Sequence, residues 1–318
     1  MARNSVLVVG ISLAWSLFFL LFSCGGGGAV GSTTVTPPTN PPPAGVPPIG
    51  HVFLLVEENH SYSSVIGNSA MPYLNSLASA HGVATNYFAD THPSIGNYFM
   101  LTTGQILTND DSSTVTVTAD NLARELIASG KSWKSYAESL PSVGYTGGDV
   151  YPYFEHHNPF SYFSDVRGNS AQLENLVPFT KLASDLASDQ LPNFGYIAPN
   201  AEHDAHDCPD GTQNCADDVK LSTTDAWLQA NIGPLLASAE FQQDGLLVIV
   251  FDESVDSDTG HGGGQVAMVV ISPKARSSFE SGTLFQHEST LRMLVEATQA
   301  AAFPGASASA PDMGGFFP

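Results

Sequence analysis

"LLVEENHSY", residues Leu54 to Tyr62, sets an apolar run directly against two carboxylates, an amide and an imidazole. A continuous apolar run of this length reads as a strand buried on both faces, as in a parallel sheet covered by helices. Acidic side chains crowded at its end repel one another, and such crowding marks a place where something positive sits. The arrangement recurs in "LLVIVFDES", Leu246 to Ser254, where Asp252 and Glu253 close a second apolar run.

Working outward, strand-like runs cover His51 to Val56, Val83 to Phe88, Phe194 to Ala198, Leu246 to Phe251 and Val266 to Ile271. Helical periodicity covers Met71 to Ala80, Asp120 to Ser129, Thr223 to Ala239 and His287 to Thr298. Strands alternating with amphipathic helices predict an α/β fold, with a mainly parallel central sheet covered by helices on both faces. In such sheets the ligand crevice lies beyond the strand C-termini. Glu57 to His60, Asp252 with Glu253, and "PNAEHDAHDC" after Phe194 to Ala198 are therefore expected at one rim.

The 318 residues carry ten Lys and Arg against 31 Asp and Glu, a net charge of −21. That balance excludes nucleic acid and anionic lipid surfaces as general partners. So few cations also make an Arg-built phosphate site hard to assemble, and anion chemistry must lean on metal, His and backbone N–H groups. Residues 1–23 hold Arg3 and an apolar run from Val6 to Phe22, short for a membrane span, and read as a signal peptide. Leu21-Phe22-Ser23-Cys24 before four glycines resembles a bacterial lipobox, which implies Cys24 as a lipidated N-terminus and an exported, envelope-anchored protein. Ordinary secretion and an uncleaved anchor are the alternatives. Residues 24–48 form a Gly/Thr/Pro-rich tether, 49–300 the catalytic domain and 301–318 a low-complexity tail. Cys208 and Cys215, separated by six residues, read as a local disulfide in an exported chain.

Ser94 follows Pro93 and precedes a helical pattern in "THPSIGNYFMLTTG". A helix N-terminus favours phosphate through its free N–H groups and dipole, although Ser is also an ordinary helix cap.

"EENHSY" resembles the Glu-Asn-x-Ser-aromatic signature of the bacterial phosphoesterase family of acid phosphatases and phospholipases C, within the alkaline phosphatase superfamily. "THPSIGNY", "SWKSYAESLP", "HHNPFSYF", "LPNFGYIAPN", "HDAHD" and "VIVFDE" are similar to its further blocks, in order, over roughly Val52 to Glu296. The segment around Ser94 is also similar to that of nucleotide pyrophosphatases, with Asn97 matching and Gly96 standing where Pro is usual. The resemblance implies an alkaline phosphatase-like fold, Ser94 as nucleophile, and a divalent metal (Mg²⁺, Ca²⁺, Mn²⁺ or Zn²⁺) on Glu58, Asn59, Asp252 and Glu253. Asp204 is expected to bind metal or orient an imidazole, and Glu57 to play a supporting part.

Histidines supply the donors that Arg does not, and His206, His157 and His261 are the expected catalytic set. His92, Asn97 and His203 are expected to contact substrate. "HGGG", residues 261–264, imitates an esterase oxyanion loop, but the chain has no Gly-x-Ser-x-Gly elbow to go with it. The expected activity is a metal-dependent phosphomonoesterase working through a phosphoserine on a small phosphate ester. A phospholipase C or other phosphodiesterase is the alternative, and a non-catalytic binding lipoprotein the reading from another class. Oligomeric state is not legible.

Overall fold

In the computed structural model, which describes residues 45–318 apart from residue 213, the two quoted apolar runs lie side by side. The strands are β1 (His51–Glu57), β2 (Gly82–Ala84), β3 (Trp133–Ala137), β4 (Leu176–Pro178), β5 (Phe194–Ala198), β6 (Gly245–Phe251), β7 (Met268–Ile271) and β8 (Phe279–Ser281). They form one sheet in the order β4-β3-β5-β1-β6-β7-β2-β8. β1 is parallel to both β5 and β6, while β7 runs antiparallel to β6 and β2, so the sheet is mainly parallel. Every residue of β5 and β6 is buried, as a sheet covered on both faces requires.

Register decides where the polar ends go. Glu57 pairs with Phe251, so Glu58 and Asp252 leave the sheet at the same level. The Asp252 N–H donates to the Glu57 carbonyl (2.8 Å), and the Glu58 N–H to the Asp204 carbonyl (2.8 Å). Three adjacent strands thus deliver their C-terminal segments to one rim, as the sequence pattern implies.

Three expected elements are reshaped. Only Gly82–Ala84 pairs continuously in the Val83 to Phe88 run, with Tyr87 and Phe88 making single bridges to Phe285 and Gln265. The Thr223 to Ala239 pattern divides among helices Asp217–Asn231, Gly233–Ala237 and Ala239–Asp244, since Gly233-Pro234 interrupts helical hydrogen bonding. The Val266 to Ile271 run pairs only over Met268–Ile271.

The low-complexity C-terminal segment folds onto the body. Met313, Phe316 and Phe317 are buried, the Phe316 ring meets Phe279 edge-on at 5.3 Å, and Arg276 donates to the carbonyls of Phe316 and Phe317. Its three large apolar side chains supply the burial that Ala and Gly do not. At the other end Val46 and Ile49 are both buried, so packing begins inside the stretch read as tether. The expected signal peptide, the expected lipidation site Cys24 and the expected tether up to residue 44 lie outside the described residues. No helix among the described residues is long and apolar enough to cross a membrane. Cys208 and Cys215 form a disulfide with Cα atoms 5.7 Å apart.

Candidate active site and metal centre

Ser94 stands at the start of helix Ile95–Thr103, and its side chain makes no capping bond. The hydroxyl instead donates to Glu58 Oε2 at 3.0 Å. The first free N–H of the helix is not available to an anion, because Ile95 N–H donates to Asp111 Oδ1 (3.0 Å). Gly96 is a packing necessity: a Cβ there would lie 2.3 Å from Asn109 Oδ1 and 2.5 Å from Thr91 Cγ2.

Glu58 is almost fully buried. Its Oε1 accepts from the Tyr98 hydroxyl, one helical turn beyond Ser94, and from His157 Nε2 at 3.2 Å. The Tyr98 and His157 rings stack at 5.3 Å. Burial, with His156 and His206 nearby, holds the His157 pKa well below the usual imidazole range, so its ring is neutral. Tyr98 escaped sequence reading, although its spacing of four from Ser94 puts both on one helix face.

Asn59, at φ 46°, turns the chain so that its N–H donates to Asp252 Oδ1 (3.0 Å) while its side-chain Nδ2 donates to Glu253 Oε1 (2.7 Å). Asn59 Oδ1 and Asp252 Oδ2 are left buried without a hydrogen-bond partner, as is Asp204 Oδ2, which lies 3.8 Å from His157 Nδ1. Orphaned acceptors of this kind are rare in folded proteins.

The electrostatics agree. Burial, then Asp252 and Asp204, raises Glu58 well above the ordinary carboxylate range. Burial raises Asp252 to about 6, even though Asn59 N–H and the Ser94 hydroxyl pull it down. Burial, then Asp252, Asp111 and Asp256, raises Glu253 to about 9. Among the described residues no Lys or Arg pairs with any of these carboxylates. Buried acids with unfilled oxygens and no protein cation fit a bound metal.

Asn97 shapes the wall beside Ser94. Its Oδ1 accepts from the Asp90 and Thr91 N–H groups (3.0 and 3.2 Å), and its Nδ2 donates to Glu253 Oε2 at 3.4 Å. His92 Nδ1 faces the same Glu253 oxygen at 3.0 Å. His92, Glu253 and Asp256 form a group whose geometry could hold a metal ion. Asp256 was not among the expected ligands.

The other histidines divide. His206 is exposed at the rim, its N–H on Asp204 Oδ1 at 2.9 Å. His261 is exposed with its ring 4.3 Å from Phe88, and His203 is bound to Glu138 (3.0 Å) and stacked on Trp227 at 5.9 Å. Neither makes a hydrogen bond with the Ser94 cluster. The glycines after His261 brace the loop that carries Ser94 instead. Gly263 N–H donates to the Ala89 carbonyl, and Gly262, at φ +114°, has no room for a Cβ, which would meet Asp90 O at 1.9 Å. Sequence reading also missed His287. Fully buried, it donates from Nε2 to the Asp252 carbonyl (2.6 Å), and its Nδ1 accepts from the Tyr87 hydroxyl (3.0 Å).

This sheet has the fold of the alkaline phosphatase superfamily. It matches a solved protein of that superfamily from Vibrio parahaemolyticus with a TM-score of 0.57 at 12% identity, covering 83% of this chain and 70% of the other. More narrowly, residues 68–298 match the model of the Phosphoesterase family, and the chain belongs to that family. Membership makes it a phosphoric ester hydrolase. It is 30% identical to a phosphatidylinositol-3-phosphatase of Mycobacterium tuberculosis over 79% of this chain and 78% of that protein. It is 26% identical to a probable acid phosphatase of Kluyveromyces lactis over 75% of this chain, spanning only 56% of the yeast protein.

Proposed function

We propose that the chain is a metal-dependent, acid phosphatase-like phosphomonoesterase that works through a phosphoserine on Ser94. The observation that carries this reading is the Ser94 hydroxyl, 3.0 Å from Glu58 Oε2 in a buried carboxylate cluster with unfilled acceptor oxygens. Glu58, Asn59 Oδ1 and Asp252 would hold the divalent cation, with Glu253 orienting Asn59 and Asp204 beside them. When bound, that cation supplies the positive charge that favours the serine alkoxide and offsets charge on the phosphoryl oxygens.

The chain's own groups do the rest. Ser94 Oγ, its proton lost to solvent water, attacks phosphorus, and the bond from phosphorus to the ester oxygen breaks. His206, exposed at the rim, gives a proton to the departing alcohol. Tyr98 and His157 hold Glu58 in place. Water then attacks the phosphoserine, the bond from phosphorus to Ser94 Oγ breaks, the water's proton returns Oγ to its hydroxyl form, and phosphate is released.

The relatives' names, an acid phosphatase and a phosphatidylinositol-3-phosphatase, favour monoesters over diesters as substrates. Leu21 to Cys24 and the Gly/Pro-rich stretch behind them support export and a lipid anchor at the cell envelope. A panel of mono- and diesters, run beside elemental analysis of the purified protein, tests the reading. Monoester turnover with a bound divalent ion is expected, and diester preference would overturn it.

A further inference from the structure

Asp111 reaches the start of the Ser94 helix from a surface loop. Its Oδ1 accepts at 3.0 Å from Ile95 N–H, the first amide after Ser94. Free N–H groups at a helix N-terminus point at an anion seated there, so a phosphoryl group in line with Ser94 Oγ brings its oxygens to that same amide. A carboxylate and a phosphoryl oxygen compete for one N–H, since both are acceptors and both are negative. Asp111 also faces the buried acids, and its charge adds to those that raise Asp252 and Glu253. Among the described residues no Lys or Arg pairs with it to offset that repulsion. The segment that carries it is lightly held. No residue from 105 to 116 is buried, and Ile106 and Val115 are 43% and 47% exposed. Further side-chain ties run from Asn109 Nδ2 to Thr91 Oγ1 (2.8 Å) and from Arg167 Nη1 to Thr114 O and Thr116 Oγ1 (3.5 and 3.3 Å). Exposed segments of this kind open at low cost.

We propose that Asp111 is a built-in competitor for the substrate phosphate. In the free protein its carboxylate caps the Ser94 helix, and an arriving phosphoryl group takes over the Ile95 N–H as residues 105–116 swing away. The place of the phosphorus rests on the proposed function, whereas the Asp111 contact does not. While the site is empty, the contact does the work of a helix cap and leaves the Ser94 hydroxyl free to bond Glu58. The apparent affinity for phosphate is lowered by the fraction of molecules whose loop is away. Every phosphate ester meets the same cost, so Asp111 weakens binding uniformly and does not choose among alcohols. Product phosphate meets it too, and the returning carboxylate speeds its release.

The test compares wild type with Asp111→Asn and Asp111→Ala as purified full chains, by calorimetry with inorganic phosphate and by kcat/KM on 4-nitrophenyl phosphate. Both variants should bind phosphate about 5-fold more tightly, the ratio that a carboxylate at a helix N-terminus commands. Their kcat/KM should rise by the same factor, because it too is measured from the free protein. Raising salt should shrink the gain in Asp111→Asn, which loses only the charge. That variant keeps an oxygen for Ile95 N–H, so it keeps the test open if Asp111→Ala loosens the helix. Unchanged or weaker phosphate binding in Asp111→Asn, or a fall in its kcat/KM, would make Asp111 a support of the helix and overturn the competitor, leaving the proposed function standing. Failure of wild type and both variants to bind phosphate would overturn the phosphate site beside Ser94, and the competitor with it.

Discussion

Ser94 Oγ and Glu58 Oε2 lie 3.0 Å apart although 36 residues separate them in the chain. One ends the loop into helix Ile95–Thr103 and the other follows β1, so their contact joins the Ser94 loop to the centre of the sheet. A third residue, Tyr98, ties the same helix to the other oxygen of Glu58.

Removing a charged ligand should lower metal content and turnover together. In Glu58→Gln and Asp252→Asn both should fall, with circular dichroism unchanged because the apolar sheet does not need the ion to form. Full metal content in both variants would move the site elsewhere.

Stability of the metal-free protein should decline as pH rises. Burial holds Asp252 at about 6 and Glu253 at about 9 in the folded state, above an unfolded value of about 4. Between those limits the folded protein keeps protons that the unfolded chain has released, so stability is greatest near pH 4 and is lost progressively up to about pH 9. Saturating cation displaces those protons and should reverse the trend. Thermal melts across this range, with and without metal, read the sign, and a flat metal-free profile would contradict it.

His287 should act on metal affinity rather than on substrate. It steadies the backbone of Asp252 through a 2.6 Å bond, and loss of such outer support typically costs about 10- to 100-fold in metal affinity. His287→Ala should therefore raise the metal concentration needed for half-maximal activity, while KM at saturating metal stays near wild type. An unchanged metal requirement would reduce His287 to a packing residue.

Phe316→Ala should cost about 3–5 kcal/mol of stability, the range for emptying a buried aromatic site. Chemical denaturation measures it directly. A cost under about 1 kcal/mol would restore the picture of residues 301–318 as a dispensable tail.

The sheet centre and its carboxylates were legible because β1 and β6 are continuous apolar runs ending in acids, and Glu202 and Asp204 follow a few residues after β5. β3 was not, since Lys134 and Ser135 interrupt its pattern; Lys134 reaches the buried Asp185 in the fold. Glu58, Asn59, Ser94 and Asp252 were found because chemistry sits in short blocks, whereas His287 lies 35 residues from Asp252 in a helix with no such block. His203 and His261 show the converse limit. Proximity in sequence to a rich block did not bring either into the hydrogen-bonded cluster, because Trp227 and Phe88 hold their rings elsewhere.

Covalent capture at Ser94 is the most direct test of the central claim. Acid quench of wild-type protein during turnover of a labelled phosphomonoester, followed by peptide mass spectrometry, should place the label on the peptide containing Ser94. Ser94→Ala should carry no label and lose nearly all turnover while remaining folded, since its side chain makes no capping bond to forfeit. An unlabelled wild-type peptide under conditions that slow dephosphorylation, together with substantial activity in Ser94→Ala, would show that water rather than serine attacks phosphorus.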